Sequence, residues 1–342
     1  MQIILVQLVP NLLWIDVKIA MKIHFFTKYV EYLTQKQVRP GILSNAIFKI
    51  RASFDANWKL VFDYRRFLII NKLPNQPLGA VFGQLPRIEL LLVTKSKDIE
   101  LLELVISNAL QNSLNPISLI KIIVPESDVE RAKEISWSFK DENQVLILNE
   151  NSIIPESVRN KLKEEFKELY GWVLAQYLKI WTVANSDSAG VLVLDADTIL
   201  LSPRLFLDSE GKQILMPSVE YHKPYYDFLD NAQPFFGEMY NSFISHHMLM
   251  QPYLARKALS FCNNSLDELT SFVLKFYEKT EKSPFCLCFE VYAQYVITHE
   301  NNKYELAKWS NLSVKRDKII SNPKILSGYA ENFNSISLHS WL

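Results

Sequence analysis

Glycine is scarce in this sequence, at 8 of 342 residues. Neither the GxGxxG loop of dinucleotide-binding folds nor the GxxxxGK loop of P-loop proteins occurs, and both classes hold phosphate with such loops. Charge of one sign is not in excess either, since 37 Lys and Arg residues stand against 37 Asp and Glu residues. A nucleic-acid partner is therefore not expected, because such proteins carry a net basic surface.

Cysteine is also rare, and the count of three is odd, which argues against a disulfide scaffold and fits a reducing compartment. Cys286 and Cys288 form a C-x-C without a second pair, so they lack the spacing of a zinc site and are expected to be small buried residues. The apolar opening at residues 1–15 contains Pro10 and is shorter than the ~20 residues that span a bilayer. The sequence therefore predicts a cytoplasmic protein without a transmembrane segment.

The neutral total conceals an uneven distribution of charge. Residues 1–86 carry 11 Lys and Arg against 4 Asp and Glu, a formal charge of +7, so residues 87–342 carry −7. Large apolar residues are interleaved with the basic ones. Two interpretations of this mainly helical arm stay open: it packs on the acidic body or on another copy, or it contacts an anionic membrane surface as a peripheral element. Breaker residues at 73–86 indicate the boundary between this arm and a domain at 87–342.

From residue 88 onward, apolar strand-like runs alternate with helix-periodic segments. Strands are expected at 88–94, 117–125, 145–148 and 191–194, and helices at 98–112, 127–139, 157–170 and 172–185, the first with Asp98 as its N-cap. This alternation predicts an α/β domain of parallel β-α-β units with helices on both faces of the sheet. Beyond residue 200 we expect strands at 213–217 and 242–250, and helices at 252–262, 266–279 and 289–299.

The most informative string is VLVLDAD at residues 191–197, which places Asp195 and Asp197 directly after a buried strand. In open parallel sheets, ligands lie beyond the carboxyl ends of the strands. Two carboxylates there can share a divalent cation, and Mg²⁺ and Mn²⁺ prefer oxygen ligands while leaving positions for phosphate oxygens. Asp also favours turns and helix caps, so a purely structural role for the pair stays open.

With its flanks, this string resembles bacterial glycosyltransferases of the GT-A fold, including the capsule- and lipopolysaccharide-type sugar transferases. The matching segments are GW…QYLKI at 171–180, VLVLDADT…P at 191–203, SFISHHML at 242–249, CFEVY at 288–292 and ISLHS at 336–340. The resemblance covers about residues 87–342. It implies a GT-A-like (Rossmann-like) mixed, mostly parallel sheet flanked by helices.

The resemblance also implies an activity and roles for individual side chains. The enzyme would use Mn²⁺ or Mg²⁺ to move a sugar from a nucleotide-sugar donor to a carbohydrate or lipid-linked acceptor, in surface polysaccharide synthesis at the inner face of the cytoplasmic membrane. Asp197 and His339 would bind the metal, and Asp195 the ribose or a metal-bound water. Lys179 would face the donor diphosphate. Glu290 would be an acceptor-side carboxylate and a candidate general base.

Further candidates follow from residue type and spacing. Gln176 lies on the same helical face as Lys179, so it is placed at the donor as well, although simple packing of that face stays open. Glu290 stands near a helix start, where a carboxylate is favourable for the helix dipole alone. Of the adjacent His246 and His247, which face opposite sides of a strand, His247 is expected to face the site.

The loop at residues 221–236 combines aromatic side chains with carboxylates, a composition that suits a sugar. Tyr225 and Tyr226 would stack on the C–H face of the acceptor ring, and Asp227 and Asp230 would accept hydrogen bonds from its hydroxyls or act in catalysis. A loop that packs into the hydrophobic core has the same aromatic content, so a structural role for this loop stays open.

Two competing functions stay open. The string at 194–198 also resembles phosphatases of the haloacid dehalogenase class, whose first Asp is a nucleophile and whose second is an acid. That pattern usually continues with Thr or Val where this chain has Ile199, and it usually opens its domain. The other alternative is a carbohydrate- or nucleotide-binding module without catalytic activity.

Overall fold

A computed structural model describes residues 70–74, 84–139, 144–218, 223–232, 242–280, 282, 284–320 and 322–339. The predicted arm at residues 1–86 lies almost entirely outside these ranges, as do parts of the aromatic loop at 221–236. In the described part, no helix combines the length and the apolar character needed to cross a membrane.

The strands form one large sheet and two small ones. In chain order they are β1 (Ile88–Val93), β2 (Ile117–Val124), β3 (Gln144–Asn149), β4 (Val191–Asp195), β5 (Thr198–Leu200), β6 (Gln213–Leu215), β7 (His247–Met250), β8 (Tyr304–Leu306), β9 (Asn311–Lys315) and β10 (Ser335–His339). The large sheet has the order β3-β2-β1-β4-β7, in which only β7 runs antiparallel to its neighbour. The small sheets have the orders β5-β10-β9 and β6-β8.

Helices cover both faces of the large sheet. They are α1 (Leu102–Asn112), α2 (Val129–Ser136), α3 (Glu156–Phe166), α4 (Tyr170–Ala184), α5 (Lys223–Ala232), α6 (Pro252–Ala258), α7 (Leu266–Lys279), α8 (Phe289–His299), α9 (Arg316–Ile320) and α10 (Leu326–Ala330). Two apolar clusters result, one on each face of the sheet. Residues of β4 alternate between them, Val191 and Val193 in one and Leu192 and Leu194 in the other, which is why the strand is apolar throughout. The mixed, mostly parallel α/β architecture is confirmed.

Several predicted elements differ in extent. Asp98 is not a helix N-cap, because it lies inside a 3-10 helix at Ser96–Leu101 that precedes α1. The strand expected at 242–250 is confined to β7, and Ser242 makes only an isolated bridge to Ser218. Part of the expected aromatic loop is α5.

Candidate functional site

A cavity of about 540 Å³ opens at the carboxyl ends of β1 and β4. Its walls are the first three turns of α4, the turn between β4 and β5, and the segments leading into β7 and α8. This edge of a parallel sheet is where the strand order predicts a ligand site. Of the site residues predicted from the sequence, five line this cavity: Gln176, Lys179, Asp195, Asp197 and Tyr225.

The turn that carries the two aspartates is held by β10. The Leu338 backbone N–H donates to the Asp197 carbonyl oxygen at 2.7 Å. One residue further, the hydroxyls of Thr198 and Ser337 are 3.0 Å apart across the antiparallel β5–β10 pair. A strand from the end of the chain therefore fixes the backbone on which Asp197 stands.

The same strand places His339 opposite Asp197. Its Nδ1 lies 3.6 Å from Asp197 Oδ2, and the two side chains are 14% and 25% exposed. Asp197 lines the cavity, whereas His339 is not part of the cavity wall but keeps a partly exposed side chain beside it. The His339 ring is also 5.7 Å from the ring of His246.

Asp195 is bound by two basic side chains. Lys179 Nζ donates to its Oδ1, and His246 Nδ1 lies 3.2 Å from its Oδ2. Burial disfavours the carboxylate, but Lys179 and His246 outweigh it and hold the pKa of Asp195 far below its usual range. Burial likewise opposes the charge on Lys179, but Asp195, assisted by Cys288 and Asp197, raises its pKa to about 12. Asp195 is therefore a carboxylate and Lys179 an ammonium at neutral pH.

An unusual backbone conformation brings His246 to the cavity. Its φ of +63° is in the left-handed region, which costs a non-glycine residue about 1 kcal/mol or more. The Asp195 N–H donates to the His246 carbonyl at 2.9 Å, and β7 begins only at the next residue. Strained residues of this kind concentrate at functional sites.

His247, the histidine expected to face the site, does not line the cavity. It is 2% exposed, its Nδ1 lies 2.9 Å from the Ser245 carbonyl, and its ring packs 4.2 Å from that of Trp309. Burial lowers its pKa to about 4, so the ring is neutral. The neighbouring His246 takes the position at the cavity.

Glu290 is also absent from the cavity wall, although the preceding Phe289 is part of it. It is fully buried, and its Oε1 accepts from the Ser242 hydroxyl at 2.6 Å and the Phe243 N–H at 3.0 Å. Its Oε2 accepts from Gln294 at 3.0 Å. This carboxylate ties α8 to the segment before β7, which is a structural arrangement.

The aromatic candidates divide between cavity and core. Tyr225 lines the cavity and stacks on Trp172, with ring centroids 6.4 Å apart, whereas Tyr226 is buried. Asp227, on the same helix, is half-buried and is not part of the cavity wall. The side chain of Asp230 lies outside the described residues.

Gln176 presents a fixed amide to the cavity. Its Oε1 accepts from the Leu287 N–H at 2.7 Å, which orients the group, and the side chain is 5% exposed. Within the described residues its Nε2 has no hydrogen-bond partner. A buried donor without a partner costs about 1–3 kcal/mol, so this N–H would gain from a further acceptor at the cavity wall.

Lys95 was missed by sequence reasoning. It lies just beyond β1, lines the cavity and is exposed, and in the described part of the chain it has no ion pair. A Cβ added at Gly171 would lie 3.5 Å from Lys95 Nζ, so the ammonium lies over the first turn of α4. The signal was available, because Lys95 follows the strand paired with the one that ends in Asp195.

The arrangement fits a hard divalent cation that has few protein ligands. Among the residues described, no three His, Cys, Asp or Glu side chains form a metal cluster. Asp197 and His339 lie side by side and could each offer one atom to such an ion. Mg²⁺ is typically held by one or two carboxylates together with water and substrate phosphate oxygens, and imidazole nitrogen also suits a transition metal. Asp195, engaged by Lys179 and His246, is less available.

Comparison with known proteins gives a family but no activity. No curated protein sequence matches this chain. Among solved structures, that of mouse xyloside xylosyltransferase 1 in its apo form is similar at 12% identity, over 74% of this chain and 98% of that one, with a TM-score of 0.45. The α/β architecture described above follows from the strand order and does not depend on this similarity. Residues 87–270, slightly more than half of the sequence, match the family of unknown function DUF6492, and the chain belongs to that family.

Proposed function

We propose that this protein is a metal-dependent glycosyltransferase that uses a nucleotide-sugar donor. The observation that carries the proposal is the pairing of Asp197 with His339 at the carboxyl end of β4, with Nδ1 and Oδ2 3.6 Å apart. The sequence resemblance assigns these two residues to one metal, although they are distant in the chain.

The metal, Mn²⁺ or Mg²⁺, would be held by Asp197 and His339 and would supply positive charge to the leaving diphosphate. Lys95 lines the same cavity at the end of β1, the strand paired with β4, and would contact the same phosphates. Gln176 would donate its unpaired N–H to an oxygen of the donor. Lys179 would hold Asp195 ionised and in position for the ribose or for a metal-bound water.

The acceptor would enter past Trp172 and Tyr225, whose stacked rings form an apolar wall of the cavity. Sugar rings present C–H faces that pack on such side chains. The acceptor would be a carbohydrate or a lipid-linked one, and the basic arm at residues 1–86 would bring the enzyme to an anionic membrane surface. Asp227 and Asp230 stay candidates for the general base.

Nucleotide binding tests the proposal directly. Thermal unfolding is followed with UDP, GDP and CDP, each with and without Mn²⁺, for the unchanged protein and for Asp197→Asn. A nucleotide at roughly 100 times its Kd stabilises the folded state by about 2.7 kcal/mol. We expect one nucleotide to give a Mn²⁺-dependent shift that Asp197→Asn abolishes.

Asp187→Asn is the matched control, because this exposed carboxylate stands before the other end of the same strand. It should keep the full shift. No shift with any nucleotide would overturn the proposal, and phosphatase assays and glycan binding would then test the alternatives.

A further inference from the structure

Two of the three cysteines lie in the wall of the cavity. Cys286 and Cys288 are free thiols, 6% and 2% exposed, and both line the cavity. The third, Cys262, is also free and buried but lies elsewhere, with its thiol donating to the Leu259 carbonyl at 3.0 Å. The cavity therefore gives small solutes a path to two thiols that are separated by one residue, Leu287.

The surroundings of Cys288 favour its thiolate. It is the N-cap residue of the eleven-residue helix α8, where the helix dipole favours negative charge, although its side chain makes no cap hydrogen bond. Lys179 lines the same cavity and stands with its Nζ 5.2 Å from the ring of the next residue, Phe289. The chain turns at Leu287 and Cys288, so the two thiols are separated by a single residue of a turn on the same wall of the cavity.

The three thiols consequently differ in acidity. Burial opposes ionisation of Cys288, but the Cys286 thiol and the Lys179 ammonium lower its pKa below the usual value. The hydrogen bond to Cys288, together with burial, raises the pKa of Cys286. Burial raises the pKa of Cys262 to about 11. Cys288 is therefore the nucleophile of the pair, and Cys286 is the thiol that stays protonated beside it.

We propose that Cys286 and Cys288 are a site of reversible oxidation by hydroperoxides. The Cys288 thiolate attacks the peroxide, the O–O bond breaks, hydroxide leaves and a sulfenic acid forms on Cys288. The Cys286 thiol then attacks that sulfur, water leaves and the disulfide forms. Overall, two thiols and one H₂O₂ give one disulfide and two waters. A dithiol reductant reverses the step.

The disulfide would change the cavity wall at the position of Gln176. The Leu287 N–H, between the two cysteines, is the donor that orients the Gln176 amide. A disulfide between its two neighbours would constrain the backbone at Leu287. The oxidation chemistry is independent of the ligand that the cavity holds, so it can be tested separately from the proposed function.

Peptide mass spectrometry tests the proposal on the full-length protein. The reduced protein is treated with limiting H₂O₂, blocked with N-ethylmaleimide and digested. We expect the peptide with residues 286–288 to be unlabelled and lighter by two hydrogens, and dithiothreitol to restore it. In the untreated protein, N-ethylmaleimide should label Cys288 at least ~10-fold faster than Cys262.

Variants separate the roles of the three thiols. Cys262→Ser should form the disulfide as the unchanged protein does. Cys286→Ser should instead collect sulfenic and sulfinic acid on Cys288, and Cys288→Ser should resist limiting peroxide. Equal labelling of Cys288 and Cys262, or peroxide products without the disulfide in the unchanged protein, would overturn the proposal.

Discussion

His339 Nδ1 lies 3.6 Å from Asp197 Oδ2, and one strand creates this pairing. β10 runs antiparallel to β5, with Ser337 opposite Thr198, so His339 extends past the turn that carries Asp197. The end of the described chain thus supplies a side chain to a site formed otherwise by the large sheet and α4.

The first prediction concerns His339. His339→Ala should weaken the Mn²⁺-dependent effect of the nucleotide, with an apparent Mn²⁺ affinity lower by at least ~10-fold, because a ligand is removed. A Mn²⁺ titration followed by thermal unfolding measures it. His299→Ala, at an exposed position in the last turn of α8, is the control. Equal Mn²⁺ affinities in both variants would exclude His339 as a ligand.

Lys179→Met should destabilise the protein by leaving the Asp195 charge without its cation. The two side chains are 11% and 21% exposed, so we expect a loss of about 3 kcal/mol in the free energy of unfolding. Denaturant unfolding measures it. The double variant Lys179→Met/Asp195→Asn removes the charge as well and should recover part of the loss. If the double variant lost as much free energy of unfolding as the two single variants together, the coupling between Lys179 and Asp195 would be contradicted.

The Lys179–Asp195 pair also makes the stability of the folded protein depend on pH in the acid range. Because the folded state holds the pKa of Asp195 below its unfolded value of ~3.9, this carboxylate stabilises the protein above that pH, and the contribution is lost as the pH falls further. Asp195→Asn should therefore flatten the dependence of stability on pH below ~4. An unchanged acid limb would show that other carboxylates dominate it.

His247 should give a separate pH dependence at higher pH. Its pKa is about 4 when folded and ~6.5 when unfolded, so the unfolded state binds the extra proton between these values. Stability should fall by about 3 kcal/mol as the pH drops through this window. His247→Gln should reduce that slope, whereas His299→Gln should keep it. Denaturant unfolding at intervals between pH 4 and 7 measures these slopes, and equal slopes in the unchanged protein and in His247→Gln would contradict the prediction.

Lys95→Gln should weaken nucleotide-diphosphate binding without loss of stability. Lys95 is exposed at the cavity, so removing its charge costs a contact of about 1.5 kcal/mol to the phosphates, roughly tenfold in Kd. Lys97→Gln, two residues further and outside the cavity wall, is the control. Isothermal titration with the nucleotide found above measures both, and equal Kd values would exclude Lys95 from the phosphate site.

Glu290→Gln distinguishes a structural carboxylate from a catalytic base. Its oxygens accept three hydrogen bonds inside the core, so we expect a stability loss of about 1–3 kcal/mol. Glu278→Gln, on the exposed face of α7, should change little. A Glu290→Gln protein of unchanged stability that binds nucleotide but transfers no sugar would restore the general-base role.

The elements of secondary structure followed from local periodicity. Helices at 266–279 and 289–299 have the predicted bounds, and the strand that ends in Asp195 lies where the apolar run indicated it. Side-chain burial imposes a period of 3.6 or 2 on the chain, so such elements can be read from neighbouring residues. The placement of Asp195 and Asp197 at the sheet edge followed from the same pattern.

Only the tertiary structure decided which of His246 and His247 reaches the cavity, and that Glu290 is buried in the core. The resemblance had placed His339 beside Asp197, and the β5–β10 pairing supplies the physical reason for it. The left-handed backbone at His246 interrupts strand alternation just before β7, so alternation alone could not say which ring reaches the cavity. Glu290 is satisfied by groups from a distant segment. Such contacts depend on which strands pair and in what register, and pairing is a property of the whole sheet that no short window of sequence contains.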